Sequence, residues 1–499
     1  MYIDYAIKGG KTYARLSNSM RNGDRVEKED IGNLGRVLDK ERGIYRSRER
    51  GVFTFDLKTG EYGDAPVDFV PSEAKKSRKE QLILDFGDIF FLDWYIGDSG
   101  LRPSIDAVGY GNPDTLYAMI CYYIVCSMAN SHAESWWEGS YARILYPRAN
   151  LSSQRVSDFL AAIGNEYSQR AFFQEYFVRL GQSGVSLTNV LIDSTGLPNS
   201  VHFPLTAISN HNGEISDEVR LIYVVHQKTG LPIYFRYCAG NIIDASTLIR
   251  CVEELKALGV DVNFAILDAG YYTNGNIREL SERKISFISR MKENYVLYKE
   301  LVAAHLATLS EKENLVEYNG RYVYLKCIEC EVEGHHVYAY VGLDIERKSS
   351  EAQRTFKRAS ANKMSARQVF DAMERQGVFI LIASRRIAKT KVLPLYYTRQ
   401  QIEQVFDIGK NYADMLPIRI HSEETFRGHL LLTFIATVII KQIQDSVAKT
   451  AITPLSLFQN LRNQKCKVYD DRVITMEAFK KANDCYKHFG LKCPVLIQR

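Results

Sequence analysis

"VRLIYVVHQKTGLPIYFRYCAGN", residues 219–241, decides how the middle of this chain is read. Two runs rich in β-branched and aromatic residues flank a Lys-Thr-Gly break, which predicts two strands joined by a tight turn. Upstream, "NVLIDST" (189–195) is a short apolar run of strand length. Downstream, "ASTLIRCVEELKALG" (245–259) has the three- and four-residue spacing of a capped helix, and "VNFAILDAG" (262–270) is another buried strand. "NGNIRELSERK" (274–284) and "ISFISRM" (285–291) repeat helix and strand. The order strand, strand, strand, helix, strand, helix, strand predicts an α/β core, a mixed sheet covered by helices.

After residue 292 the rhythm breaks. Residues 293–376 read as a helix, then alternating strands with Asn-Gly and Glu-Gly turn signals, then a charged helical stretch: a β-rich insertion. "GVFILIAS" (377–384) returns to a buried strand, so the core has two parts, 185–292 and 377–445. Its last helices are "YYTRQQIEQVFDIGK" (396–410) and "SEETFRGHLLLTFIATVIIKQIQDSV" (422–447), the latter with Ser422 as cap and carboxylates in the first turn. Ahead of the core, residues 1–78 read as a small β-rich module of hairpins. Residues 79–184 have helical periodicity and read either as a DNA-binding region or as a helical scaffold. Residues 446–499 form a basic tail.

The chain has 499 residues, 46% hydrophobic and 25% charged, which suits a globular protein of several domains and excludes a disordered or fibrous class. Nine scattered cysteines form no even framework and predict a reducing cytoplasm. The N-terminus lacks a signal-like apolar core, and the longest apolar run, 430–440, is about half a membrane span, so neither export nor a membrane partner is expected. The net charge of +5 is unevenly placed. Residues 441–499 hold 11 Lys and Arg against 5 Asp and Glu, and residues 345–376 hold 8 against 4; both segments suit phosphate or a solvated face.

Two aspartates follow apolar runs: Asp193 in "NVLIDSTG" and Asp268 in "NFAILDAGYY". Carboxylates there lie at the sheet rim, where residues from distant parts of the chain converge, although Asp before Gly or Ser also makes turns. At about 100° per residue, Tyr396, Arg399, Glu403 and Lys410 fall within an arc of roughly 60° on one predicted helix. That pattern fits a solvated face with an Arg399–Glu403 pair. With the aspartates it also fits a phosphoryl-transfer site, in which three carboxylates bind divalent metal, Arg399 and Lys410 hold phosphates, and Tyr396 stacks on an unpaired base. Helix geometry leaves Glu403 and Asp407 equally eligible as the third carboxylate.

"DST" at Asp193, "DAGYYTN" at Asp268 and the Tyr-x2-Arg-x3-Glu-x6-Lys spacing at 396, 399, 403 and 410 resemble the DDE transposases of the insertion-sequence-four superfamily. The resemblance extends through "HQKTGLPIYFRYCAGNIIDASTL" (226–248) and "LPIRIHSEETFRGHLLLTFIA" (416–436), with weaker likeness in "DIGNLGRVLDK" (30–40) and "DFGDIFFL" (85–92). It implies an RNase H-like catalytic core with a β-rich insertion before the glutamate. It further implies two Mg²⁺ ions, or Mn²⁺, on Asp193, Asp268 and Glu403 rather than Asp407, with Tyr396, Arg399 and Lys410 on DNA. The implied activity is cleavage at insertion-sequence ends and strand transfer into target DNA. The implied partners are DNA, as terminal inverted repeats and target, and a second copy of the chain in a homodimer; the expected place is the nucleoid of a bacterial or archaeal cytoplasm.

The chain departs from some members of that superfamily, which place a tryptophan in the insertion to hold a flipped base. Its three tryptophans are Trp94, Trp136 and Trp137, so Tyr318, Tyr322, Tyr324, Tyr338 and Tyr340 are the insertion's aromatic alternatives. Cys327 and Cys330 form a lone CxxC beside His335 and His336 and lack the spaced partners of a zinc site. "GDSG" (97–100) lies in a helical stretch without His or Asp partner motifs, and "GYGNPD" (109–114) lacks the strand and third glycine of a dinucleotide loop. Competing readings are a metal-dependent nuclease without joining activity, a non-catalytic domesticated DNA-binding regulator, and a two-carboxylate glycosidase. The last leaves Arg399 and Lys410 without a role.

Overall fold

The computed structural model describes residues 1–8, 10–22, 25–47, 50–66, 69, 82–199, 203–209, 215–361, 365–416, 418, 420 and 422–499. The chain divides into two units, 1–82 and 83–499. The expected boundary between β module and helical region, at 78/79, lies outside the described residues.

The first unit is an antiparallel meander of six strands: Tyr2–Lys8, Lys11–Asn22, Arg25–Asp39, Ile44–Ser47, Gly51–Phe55 and Tyr62–Asp64, each paired with its neighbour in sequence. Alternation of side chains along a strand gathers Leu16, Tyr45, Phe53 and Phe55 with Ala14 and Leu34 into one core.

In the second unit the central sheet places five strands in the lateral order Pro232–Ala239, Ser216–His226, Asn189–Pro198, Phe264–Leu267, Ser286–Arg290. The first two pairings are antiparallel and the next two parallel. The hairpin in the 219–241 stretch turns at Gly230, whose φ of +68° suits glycine. Helices Leu248–Ala257 and Asn274–Glu282 make the parallel crossovers, the first burying Leu248, Cys251, Val252 and Leu255. Buried on both faces, Val190, Leu191 and Ile192 put Asp193 on the middle strand.

The insertion continues this sheet. Val378–Ala383 pairs antiparallel with Ser286–Arg290 on one side and with His335–Asp344 on the other, followed outward by Arg321–Val332 and Leu315–Tyr318. Both predicted turns form with two consecutive positive φ values: +50° and +74° at Asn319-Gly320, +51° and +75° at Glu333-Gly334. Paired positive φ values match the twist of the flanking strands. Cys327 and Cys330, three apart on one strand, point to opposite faces, which separates them as ligands. Helices Val296–Leu309, Ile345–Ser360 and Ala366–Arg375 complete the segment.

The long helix Glu423–Val447 is the axis of the unit. Ser422 accepts a hydrogen bond from the Thr425 N–H at 3.2 Å, as its cap position predicts. Pro113–Val125 and Ser153–Ile163 pack on it. At the second crossing a Cβ on Gly428 would stand 1.9 Å from the Leu160 carbonyl oxygen, so only glycine permits the approach. Phe434 collects Phe172, Phe173, Tyr176, Tyr223 and Phe235 around it. Among the described residues this is the one helix long and apolar enough to cross a membrane, and 78% of its apolar window is buried inside the protein.

The basic segment 446–499 is folded rather than trailing. Helices Pro454–Arg462 and Lys480–His488 bury Leu457, Phe458, Leu461, Cys485 and Tyr486, beside a sheet ordered Leu496–Gln498, Arg472–Thr475, Lys465–Val468, Leu82–Asp85. All nine cysteines are free.

Candidate active site

Asp193 and Tyr223 are cross-strand partners and share a face of the sheet, as does Thr195 two residues along. Helix Gln400–Tyr412 lies on that face. Its buried side carries Ile402, Val405, Phe406 and Ile408, and Phe406 stacks on Tyr223 with ring centroids 5.3 Å apart and planes 11° apart. Such a pair adds about 0.5–1.5 kcal/mol beyond burial and sets the height of the helix over the strand. At one end of the helix Arg399 thereby reaches Asp193, and at the other Lys410 reaches Thr195.

Arg399 sits among the three carboxylates. Nη2 lies 3.2 Å from Asp193 Oδ2, Nη1 lies 3.2 Å from Asp268 Oδ1, and Nη2 is also 3.5 Å from Glu403 Oε1. The site grades from inside to outside: the Asp193 side chain is 13% exposed and that of Glu403 57%. Burial, with Asp268 second, pushes the Asp193 carboxyl up to about 7 against the opposing pull of Arg399. A second hydrogen bond steadies Asp193, from the Ser194 backbone N–H to Oδ1 at 2.8 Å. Asp407, the alternative carboxylate, is exposed and accepts from Asn411 Nδ2 at 2.5 Å.

Lys410 Nζ donates to Thr195 Oγ1 at 2.7 Å and to the Gly196 carbonyl at 3.2 Å. Burial lowers its pKa, and Glu218 acts the other way. Gly196 is required here, because a Cβ would lie 1.8 Å from Glu218 Oε2. Lys292, which the sequence reading passed over, donates to the Gly270 carbonyl at 3.4 Å beside Asp268.

One expectation is corrected by these positions. The 396–410 stretch is two helices, Lys389–Tyr397 and Gln400–Tyr412, joined by a tightened turn. Hydrogen bonds to the third residue back run from Thr398, Arg399, Gln401 and Ile402. The tightened turn changes the angle of Tyr396 relative to Glu403 and Lys410, while the ring stays within reach of the Arg399 and Asp268 charges. It is 3% exposed, packs edge-on against Tyr397, and its hydroxyl has no hydrogen-bond partner among the described residues. In this structure the ring is enclosed by protein. Arg399, expected on phosphate, pairs with carboxylates in this structure.

Of the insertion's tyrosines, Tyr318 stacks on Tyr397 at 5.2 Å and Tyr340 is fully buried, whereas Tyr322 is exposed.

Among the described residues no three His, Cys, Asp or Glu side chains stand in position to hold a metal ion. Arg399 lies beside all three of Asp193, Asp268 and Glu403. The donor chemistry still fits a hard divalent cation: the groups are all carboxylates, one is too buried to carry its charge easily, and a cationic group already lies between them.

The mixed sheet thus brings one carboxylate from its middle strand, one from just past the neighbouring strand and one from a helix across its face toward a single guanidinium. The pattern of the transposase DDE domain family matches residues 188–439, just over half of the chain, and the protein belongs to that family. No curated protein matches it in sequence. Among solved structures, a piggyBac transposase synaptic complex with hairpin DNA is similar over 75% of this chain and 78% of that one, at 11% identity and a TM-score of 0.39.

Proposed function

We propose that the protein is a transposase that cuts DNA at the ends of an insertion sequence and transfers the freed strand into target DNA, with Asp193, Asp268 and Glu403 as its metal-binding triad. The observation that carries this reading is the convergence of those three carboxylates on one guanidinium from three separate elements. The 3-2-1-4-5 strand order, antiparallel then parallel, supports an RNase H-like core, and the Tyr-Arg-Glu-Lys spacing supports the insertion-sequence-four branch.

Mg²⁺ or Mn²⁺ on the triad would supply Lewis acidity at the scissile phosphate. Asp193 on its strand and Asp268 just past the neighbouring one present their oxygens from the sheet, and the more exposed Glu403 presents its own from the helix. Arg399 is the counter-charge of Asp193 and Asp268, and its planar fork has the geometry to hold a phosphate beside them. Lys410 orders the backbone after Asp193 and offers a point charge to a neighbouring phosphate. The helical region 79–184 and a second copy of the chain complete the grip on paired ends.

The test is a Mg²⁺-dependent cleavage and strand-transfer assay on duplexes carrying the inverted repeats that flank the gene. Asp193→Asn, Asp268→Asn and Glu403→Gln should each abolish cleavage and leave end binding largely intact. Wild-type cutting by any of them removes that residue from the triad, and cutting without joining favours a nuclease.

A further inference from the structure

Asp193 stands on the middle strand and Asp268 one residue past the end of its neighbour, and a third aspartate ties their surroundings together. The N–H that holds the Asp193 carboxylate belongs to Ser194. The Ser194 side chain points to the opposite face of the strand, where its hydroxyl donates to Asp244 Oδ1 at 2.5 Å. The same oxygen accepts from Arg220 Nη1 at 3.0 Å, and Arg220 Nη2 is anchored on Ser209 Oγ and the Gly240 carbonyl at 3.2 and 3.1 Å. The other oxygen, Oδ2, lies against Gly270, two residues after Asp268, so closely that a Cβ there would come within 2.7 Å. Asn276 Nδ2 then clamps the two turns, donating to the Ala245 and Tyr271 carbonyls at 2.8 Å each.

We propose that Asp244 is a positioning residue for the Asp193–Asp268 pair, acting through Ser194 on one aspartate and through Gly270 on the other to set the span that a shared divalent cation must bridge. This rests on the triad reading above. A buried Arg–Asp pair by itself adds little net stability, since apolar residues of similar volume often do as well. Here each carboxylate oxygen is used toward a different catalytic turn, which is what positioning requires. In sequence, Asp244 is hidden in "DAST", where Asp three residues before Thr reads as a helix cap.

Binding of Mn²⁺ alone to the full chain, followed by the paramagnetic resonance of free ion, tests the proposal. Asp244→Ala should weaken Mn²⁺ affinity about tenfold, the scale of losses when groups behind metal ligands are removed. Asp244→Asn, whose amide oxygen still accepts from Ser194, should recover most of it. Ser194→Ala should shift affinity in the same direction with an unchanged melting temperature, and combined with Asp244→Ala should lose no more than Asp244→Ala alone. If Asp244→Ala fails to fold, Ser194→Ala decides, because it removes one hydroxyl. Wild-type affinity in Ser194→Ala alongside a loss in Asp193→Asn overturns the positioning role alone. Wild-type affinity in Asp193→Asn overturns the triad reading and this role with it.

Discussion

Arg399 donates from Nη2 to Asp193 Oδ2 at 3.2 Å across 206 residues of sequence, and this bond joins the last helix of the site to its first strand. With Nη1 on Asp268 the guanidinium is a counter-charge to two carboxylates. Arg399→Gln should therefore lower the melting temperature in a chelator and enlarge the rise produced by Mn²⁺. Equal Mn²⁺-induced rises in variant and wild type would show that Arg399 does not compete with the ion.

The raised pKa of Asp193 gives stability a pH signature. Its carboxyl sits at about 7 against an ordinary value of 3.8. Between about pH 4 and about pH 7 the folded chain keeps a proton that the unfolded chain has released, so stability falls as pH rises through this window. Asp193→Asn removes the group. In chelator the variant should gain on wild type in melting temperature from about pH 4 to about pH 7, and a pH-independent gap would contradict the cause assigned.

Lys410 touches Thr195 and Gly196 and none of the three carboxylates at ion-pair distance. If it meets one phosphate, Lys410→Ala should weaken binding to all duplexes alike and reduce the salt slope by about one. Mn²⁺ affinity should stay at the wild-type value, and a loss there would move Lys410 from DNA binding to site assembly.

Tyr396→Phe deletes a buried hydroxyl without a partner among the described residues. Relief of an unsatisfied group should leave stability unchanged or raise it by up to about 1 kcal/mol. A lower melting temperature would mean that the hydroxyl is bonded in solution.

Asp88 is buried, and Arg462 Nε donates to its Oδ2 at 2.8 Å, joining the start of the helical region to the basic C-terminal segment. Burial raises the Asp88 pKa, with Arg462 opposing. Arg462→Ala should cost about 1–3 kcal/mol, less than for a fully buried pair because the guanidinium is 37% exposed, and Asp88→Asn in the same chain should return part of it. Thermal melting of both variants reads this directly.

Sequence by itself determined what is local: the strand and helix order around residues 219–241, the two-residue turns of the insertion, the Ser422 cap, and the helical spacing of Glu403 and Lys410. Period, turn chemistry and capping act over a few residues, so these features can be read without neighbours. Tertiary structure alone decided which groups meet. Whether Arg399 faces phosphate or carboxylate depends on the docking of Phe406 on Tyr223, and whether Tyr396 faces outward depends on a tightened turn that helical periodicity does not encode. The joining of the insertion to the core sheet, the folding of 446–499 and the place of Asp244 between two aspartates are likewise long-range pairings. Their partners lie tens to hundreds of residues apart, beyond the reach of any local pattern.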